Sequence, residues 1–342
     1  MIGQSDDARV DASIEVFPLP VSKNHYKRYV LNCLRAAILL LRAKADVYHL
    51  HDPELLPLGI LLRLIGKRVI FDSHEQYFEK MKSKALPKAI KSMVSSLWSL
   101  LEYIAARTLN HMIMADSYKF ERFPKGKATV IANYAPLRII ECAKNKCSRN
   151  DSHFRIVYIG GISSDRGIEK TYEALTLLVD DEIELHLAGP ISDEELRGRI
   201  ENHKGVIYHG FLPWEEIGAL LSKCDLGLIL LQPIAAYLYY TGENIVKLYE
   251  YMALGLPVLL SNFPRLKAFI ESLDCGIAVD PTSPRAIADA IKYLRDNPDV
   301  RKRMGENGRR AFLERFNWEI EEKKLLKVYE TVLKGSKQKA VP

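Results

Sequence analysis

Lys247 and Glu250 stand three residues apart in the run NIVKLYEYMALGLPVLL, Asn244–Leu260. On a helix that spacing places both on one face, near the helix start. A cation, a carboxylate and free backbone N–H groups at the positive end of a helix suit a phosphorylated sugar or a nucleotide. The same spacing also fits a surface lysine and glutamate in a weak ion pair. A second candidate lies upstream, where Arg155–Ile159 runs into Gly160-Gly161-Ile162-Ser163-Ser164-Asp165-Arg166-Gly167. Paired glycines let backbone approach a ligand closely, and Arg166 can fork onto phosphate oxygens. Gly189 ends another strand in the same way, in the segment LAGP. Each turn alone is also an ordinary strand-to-helix connection.

Strands and helices alternate through the chain, which predicts parallel sheets covered by helices. In the first half the predicted strands are Val47–Leu50, Val69–Phe71, His111–Ala115 and Thr129–Ile131, with helices at Glu54–Leu64 and Pro87–Arg107. The second helix shows an apolar stripe at Ile90, Val94, Leu97, Leu101 and Ile104. A polar stretch, Glu141–His153, reads as a linker. Strands then follow at Arg155–Ile159, Glu184–Ala188, Val206–Tyr208, Asp225–Leu230, Pro257–Leu260 and Gly276–Val279, and helices at Pro284–Asp296, Val300–Arg315 and Trp318–Lys334 close the chain. The expected class is α/β, with two Rossmann-like doubly wound domains divided into residues 1–150 and 151–342. In such sheets the loops at the carboxyl ends of the strands open on one edge, where ligands bind. The opening residues are polar, with only a modest strand at Ile14–Phe17, so the first domain is expected to lack its usual opening strand-helix-strand.

The chain has 342 residues, 48% of them hydrophobic, and a mean hydropathy of −0.10. No apolar run approaches the ~18–20 residues that span a bilayer. The five cysteines are scattered and lack metal-finger spacing, which predicts reduced thiols in a cytoplasmic protein. The net charge of +6 is unevenly distributed: residues 1–150 hold 24 basic and 14 acidic residues, residues 151–342 hold 25 and 29. The basic half predicts an anionic partner. Nucleic acid is disfavoured, since no aromatic-basic interleaving, zinc module or reading helix is present. Lys80, Lys82, Lys84, Lys88 and Lys91 fall in a stretch without acidic residues. Lys84, Lys88 and Lys91 share a helix face, which is either a solvated face or a contact to the inner surface of the plasma membrane.

Taken in order, YIGGISSDRGIEKTYEAL, ELHLAGP, YHGFLPWEEIGALLSKCDLGLIL, NIVKLYEYMALGLPVLLSN, CGIAVDPTSPRAIADAI and RFNW resemble the donor-binding half of GT-B-fold glycosyltransferases, in particular the retaining family 4 (group 1) type. VYHLHDPELLPLG and VIFDSHE resemble the acceptor-side domain of bacterial members that build surface polysaccharides. The resemblance implies transfer of a sugar, with retention, from a nucleoside-diphosphate sugar to a glycan or lipid-linked acceptor. It implies no metal and no cofactor beyond the donor substrate. Glu250 occupies the place of the family's ribose-binding glutamate, and Arg166 matches one basic residue that grips the diphosphate. Gly161 stands where many members have arginine; Lys247 is positioned to supply that charge. Gly160, Gly189 and Asn244 complete the implied donor site. Gly242 holds the place of an earlier glutamate, with Glu243 beside it. His74 is implied to contact the transferred sugar; its alternative role is to cap its own turn through Asp72 or Glu75. His51 and Asp52 fit a helix start. Two other functions remain open from the sequence: a nucleotide-sugar epimerase on the same fold, and a degenerate or truncated subunit that binds donor without transfer.

Overall fold

The computed structural model describes residues 2–3, 15, 17–19, 25–74, 87–118, 120–143, 153–178, 182–191, 194–201, 204–235 and 237–334. The chain forms two compact units. One comprises Met1–Ala115, Lys119–Val130 and Leu325–Pro342, the other Asp116–Tyr118 and Ile131–Lys324.

The first unit contains a four-stranded parallel sheet in chain order: β3 (Tyr48–Leu50), β4 (Val69–Ser73), β5 (His111–Met114) and β6 (Ala128–Val130). Ahead of it, β1 (Ile2–Gly3) pairs with β2 (Phe17–Pro18), followed by helix α1 (His25–Arg42). Within α1 the sequence marks only the apolar run Ala36–Leu41. Helix α2 (Leu56–Leu64) and helix α3 (Lys88–Thr108) complete the unit. Tyr48, Leu50, Val69, Phe71, Met112 and Met114 of the strands pack with Leu56 and Leu62 of α2 and with Ala105 and Ala106 of α3.

Helix α3 buries only part of its apolar stripe: Leu101 packs against the core and Val94 is half-buried. Ile90, Leu97 and Ile104 are exposed, with Met93, Leu100 and Tyr103. The buried side instead carries Ser95, Glu102, Ala105 and Ala106. Small residues there let the helix axis approach the core closely, so periodicity identified the helix but not its inner face. Glu102 lies 3.1 Å from the guanidinium of Arg122, and burial raises its carboxyl pKa. Lys80, Lys82 and Lys84 lie outside the described residues; Lys88 and Lys91 fall on the α3 backbone.

The second unit opens with the short helix α4 (Ile139–Cys142) and contains a six-stranded parallel sheet, ordered β12-β11-β10-β7-β8-β9. Its strands are β7 (Phe154–Ile159), β8 (Ile183–Ala188), β9 (Val206–Tyr208), β10 (Leu226–Ile229), β11 (Val258–Ser261) and β12 (Gly276–Val279). Helices α5 (Ile168–Leu178), α6 (Glu194–Glu201), α7 (Trp214–Leu221), α8 (Val246–Ala253), α9 (Pro264–Leu273), α10 (Pro284–Asp296) and α11 (Pro298–Arg315) connect and follow the strands. Helix α12 (Trp318–Lys334) carries the chain from the second unit back to the first. Successive residues of β7 feed opposite cores: Val157 and Ile159 one, Ile156 and Tyr158 the other. A strand buried on both faces must be apolar throughout, as these are. Strand order reverses between β7 and β10, and this reversal opens a crevice at their carboxyl ends.

Cys33, Cys142, Cys224 and Cys275 are free thiols. Among the described residues no helix is long and apolar enough to cross a membrane.

Candidate functional site

The loops leaving β7, β8 and β10 meet at that crevice. Gly160 (φ 106°) donates its N–H to the Ala188 carbonyl at 2.8 Å. Gly189 (φ 140°) lies so close that a Cβ there would stand 2.1 Å from the Gly160 carbonyl oxygen. Neither position accepts a side chain without strain: both have left-handed φ, and at Gly189 the turns abut backbone to backbone. Gly161, beside them, is exposed, and its carbonyl accepts a hydrogen bond from the Tyr158 hydroxyl at 2.8 Å.

Arg166 sits on a 3₁₀ turn, Ser164–Arg166, that is held from several sides. The Asp165 carboxylate accepts from the Ser163 and Tyr237 hydroxyls, and its backbone carbonyl accepts from the Gln232 N–H at 2.9 Å. The Arg166 guanidinium lies over the Tyr237 ring, 4.8 Å from its centroid. Hydrogen bonding holds the Asp165 pKa below the usual carboxylate range, against the opposing effect of burial. The loop after β10 thus fixes the turn after β7.

Helix α8 brings Lys247 and Glu250 to the same place. The Tyr251 hydroxyl anchors the helix by accepting the Ile159 N–H at 3.2 Å. At Gly227 a Cβ would stand 2.4 Å from the Tyr251 ring, so the bare backbone of β10 makes room for it. The Lys247 ammonium lies 3.8 Å from the Tyr158 ring centroid, and a Cβ on Gly160 would be 2.9 Å from its Nζ. The cation therefore sits over the first glycine turn. The residue keeps some surface, but its ammonium is enclosed by neighbours. Burial pushes its pKa down to about 7; Arg166 pushes in the same direction and Glu250 opposes both. Two basic groups held near each other, one lowering the other's hold on its proton, suit an incoming anion.

Glu250 is 7% exposed and accepts from the Trp214 indole N–H at 3.2 Å. Burial raises its pKa, while Trp214 and Lys247 lower it. Trp214 is held in turn by Arg138, whose guanidinium lies 4.5 Å from the indole ring. Tyr158, Tyr237 and Trp214 were not singled out from the sequence. Aromatic residues in α/β strands and turns read as core, and only the fold shows that these three face charged groups.

Asn244 is committed to shaping the loop before α8. Its amide donates to Asp116 at 2.6 Å and its carbonyl accepts the Thr241 N–H at 3.2 Å. Glu243 accepts from the Ser117 N–H at 2.6 Å and from the Thr241 hydroxyl at 3.0 Å. Gly242 (φ 100°) provides the bend between Thr241 and Glu243.

In the first unit, His74 follows β4 and lies in a cluster with His49, His51 and Asp72. Its Nε2 is 2.8 Å from His51 Nδ1 and 3.7 Å from Asp72 Oδ2. No spacing in the sequence groups these four residues. Parallel register brings them together: Leu50 pairs with Phe71, so His51, just past β3, lies beside Asp72 of β4.

The sequence profile of the family described as "Glycosyl transferases group 1" matches residues 140–311, which include Gly160, Gly161, Arg166, Gly189, Asn244, Lys247 and Glu250. Alpha-D-kanosaminyltransferase of Streptomyces kanamyceticus is 30% identical over 158 residues, 44% of this chain and 39% of that protein. The matched stretch is thus well under half of that relative. Phosphatidyl-myo-inositol mannosyltransferase of Mycobacterium leprae is 24% identical over 304 residues, covering 85% of this chain and 75% of the relative. The crystal structure of Anabaena Alr3699/HepE in complex with UDP superposes with a TM-score of 0.68 at 15% identity, covering 93% and 86% of the two chains. That likeness is one of fold, and it agrees with the two parallel-sheet α/β units. With the profile spanning half of its length, the chain belongs to the glycosyl transferases group 1 family.

Proposed function

We propose that the protein transfers a sugar, with retention at the anomeric carbon, from a nucleoside-diphosphate sugar to a hydroxyl of a glycan or lipid-linked acceptor. The observation that carries this reading is the pairing of Lys247 and Arg166 over the glycine turns at the β7–β10 crevice, one helical turn from the buried carboxylate of Glu250. Glu250, as an ionised acceptor, receives the ribose hydroxyls. The diphosphate lies over Gly160, Gly161 and Gly189, against Lys247, Arg166 and the N–H groups that open α8. Asn244 holds the loop that aims those groups.

In the reaction, the bond from the anomeric carbon to the diphosphate oxygen breaks and its electron pair leaves with the diphosphate. The acceptor oxygen bonds to that carbon and gives up its proton to the departing diphosphate. Charge thus develops where two cations already stand, and donors set in advance are commonly worth ~2.7–4 kcal/mol each. On the resemblance alone, His74 is proposed to contact the transferred sugar.

Support for a lipid-linked acceptor comes from the first unit. Its excess of basic residues accompanies the exposed apolar residues Ile90, Met93, Leu97 and Leu100 on α3. Apolar residues beside basic ones favour an anionic membrane surface.

The test is turnover with a panel of nucleoside-diphosphate sugars. Arg166→Ala should lower it by about a hundredfold while the fold is kept. Wild-type turnover in that variant would refute the assignment. Conversion of donor to an isomeric sugar without acceptor would identify an epimerase instead.

A further inference from the structure

Three imidazole nitrogens converge on one carboxylate oxygen at the carboxyl edge of the first unit's sheet. His49 Nε2 lies 3.5 Å from Asp72 Oδ2, His51 Nδ1 3.6 Å and His74 Nε2 3.7 Å. All three separations lie at or beyond the outer limit of a hydrogen bond. They are close to the spacing of neighbouring ligands around one shared ion: two ligands, each ~2.1 Å from a tetrahedral zinc, stand about 3.4 Å apart. His49 Nε2 is buried and has no hydrogen-bond partner. Its other nitrogen, Nδ1, is 2.6 Å from the Tyr329 hydroxyl, and that contact aims Nε2 at Asp72. Metal-binding histidines are typically oriented in this way by a partner on the far ring nitrogen.

We propose that the first unit carries a binding site for a divalent transition-metal cation of the zinc class, formed by His49, His51 and Asp72, with His74 beside them as a further ligand. The ligand atoms of His49, His51 and Asp72 all lie within 4.8 Å of one another. His51 and His74 are exposed, which gives the ion a path from solvent. The imidazole–carboxylate donor set selects zinc and its neighbours over calcium or magnesium, which prefer oxygen. His51 Nδ1 and His74 Nε2 share a hydrogen bond of 2.8 Å. Binding would open it by about half an ångström, to the ligand spacing above. Holding an ion and contacting a sugar are alternative uses of the His74 ring. The binding site stands whether or not the proposed transfer does.

The test uses the full chain, stripped with chelator and titrated with zinc chloride alone in a calorimeter at neutral pH. One saturable site per chain is expected, weakened by about tenfold or more in Asp72→Asn and in His51→Gln. His51 projects far enough into solvent that its replacement leaves the fold intact, which circular dichroism would verify. His186→Gln, in the separate His186–His209 pair of the second unit, should leave the affinity unchanged. Absence of saturable binding would overturn the proposal. So would zinc affinity that survives both first-unit substitutions, or that disappears with His186→Gln.

Discussion

Lys247 makes donor binding depend on pH in a way that one substitution can isolate. Burial and Arg166 hold its pKa at about 7, far below the ~10.4 of a solvated lysine. In the free protein the ammonium therefore loses its proton just above neutrality. A bound diphosphate would stabilise the charged form and raise the pKa again, so binding must take up a proton wherever the free group is neutral. With a free pKa of about 7 and a much higher one in the complex, the charged fraction falls from roughly three-quarters at pH 6.5 to about 3% at pH 8.5. The dissociation constant for UDP should weaken by about 25-fold over that interval, equivalent to about 1.9 kcal/mol.

Calorimetry in buffers of different ionisation enthalpy would read both the affinity and an uptake of about one proton at pH 8.5. The nucleotide's own phosphate also titrates near the lower end of this range, so the comparison is with variants rather than with a flat line. Lys247→Arg stays charged throughout, and Lys247→Met never is; both should lack the 25-fold component. If wild type and Lys247→Arg gave superimposable pH profiles, the placement of this ammonium against the diphosphate would be wrong. The same depression has a consequence for folding. The folded state disfavours the charged lysine, so this group's penalty is complete below pH 7 and is relieved as pH rises from about 7 to ~10.4. Its contribution to stability therefore increases with pH in that window.

Glu250→Gln removes an ionised acceptor worth about 1.5–3 kcal/mol, so UDP affinity should fall by roughly tenfold to 150-fold. The variant should also lose wild-type discrimination against 2′-deoxy-UDP; retained discrimination would move the ribose elsewhere. Gly189→Ala forces a Cβ to 2.1 Å from the Gly160 carbonyl at φ 140°, costing at least about 1–3 kcal/mol, and should lower the melting temperature by several degrees. Gly198→Ala is the control: it lies in α6 with nothing within 4 Å of the new Cβ, and it should leave the melting temperature unchanged or raise it slightly. Equal behaviour of the two alanine variants would contradict the packing described at the glycine turns.

The sequence by itself determined the alternation of elements and several of their limits. Pro284–Asp296, Trp318–Lys334 and Gly276–Val279 are bounded as the periodicity and breakers indicate. These are local matters: a buried parallel strand must be apolar throughout, and Pro or Gly ends what it cannot continue. Local pattern also marked Lys247 and Glu250 as neighbours, because helix geometry alone relates residues three apart. The tertiary structure decided which face of α3 turns inward, since small and large residues compete for one core and the helix period does not say which wins. It gave Trp214 to Glu250 and Tyr158 to Lys247, pairs separated by 36 and 89 positions in sequence. It also gathered His49, His51, Asp72 and His74 around a single oxygen. That grouping depends on the register between β3 and β4, a relation of two strands that no pattern within either strand contains.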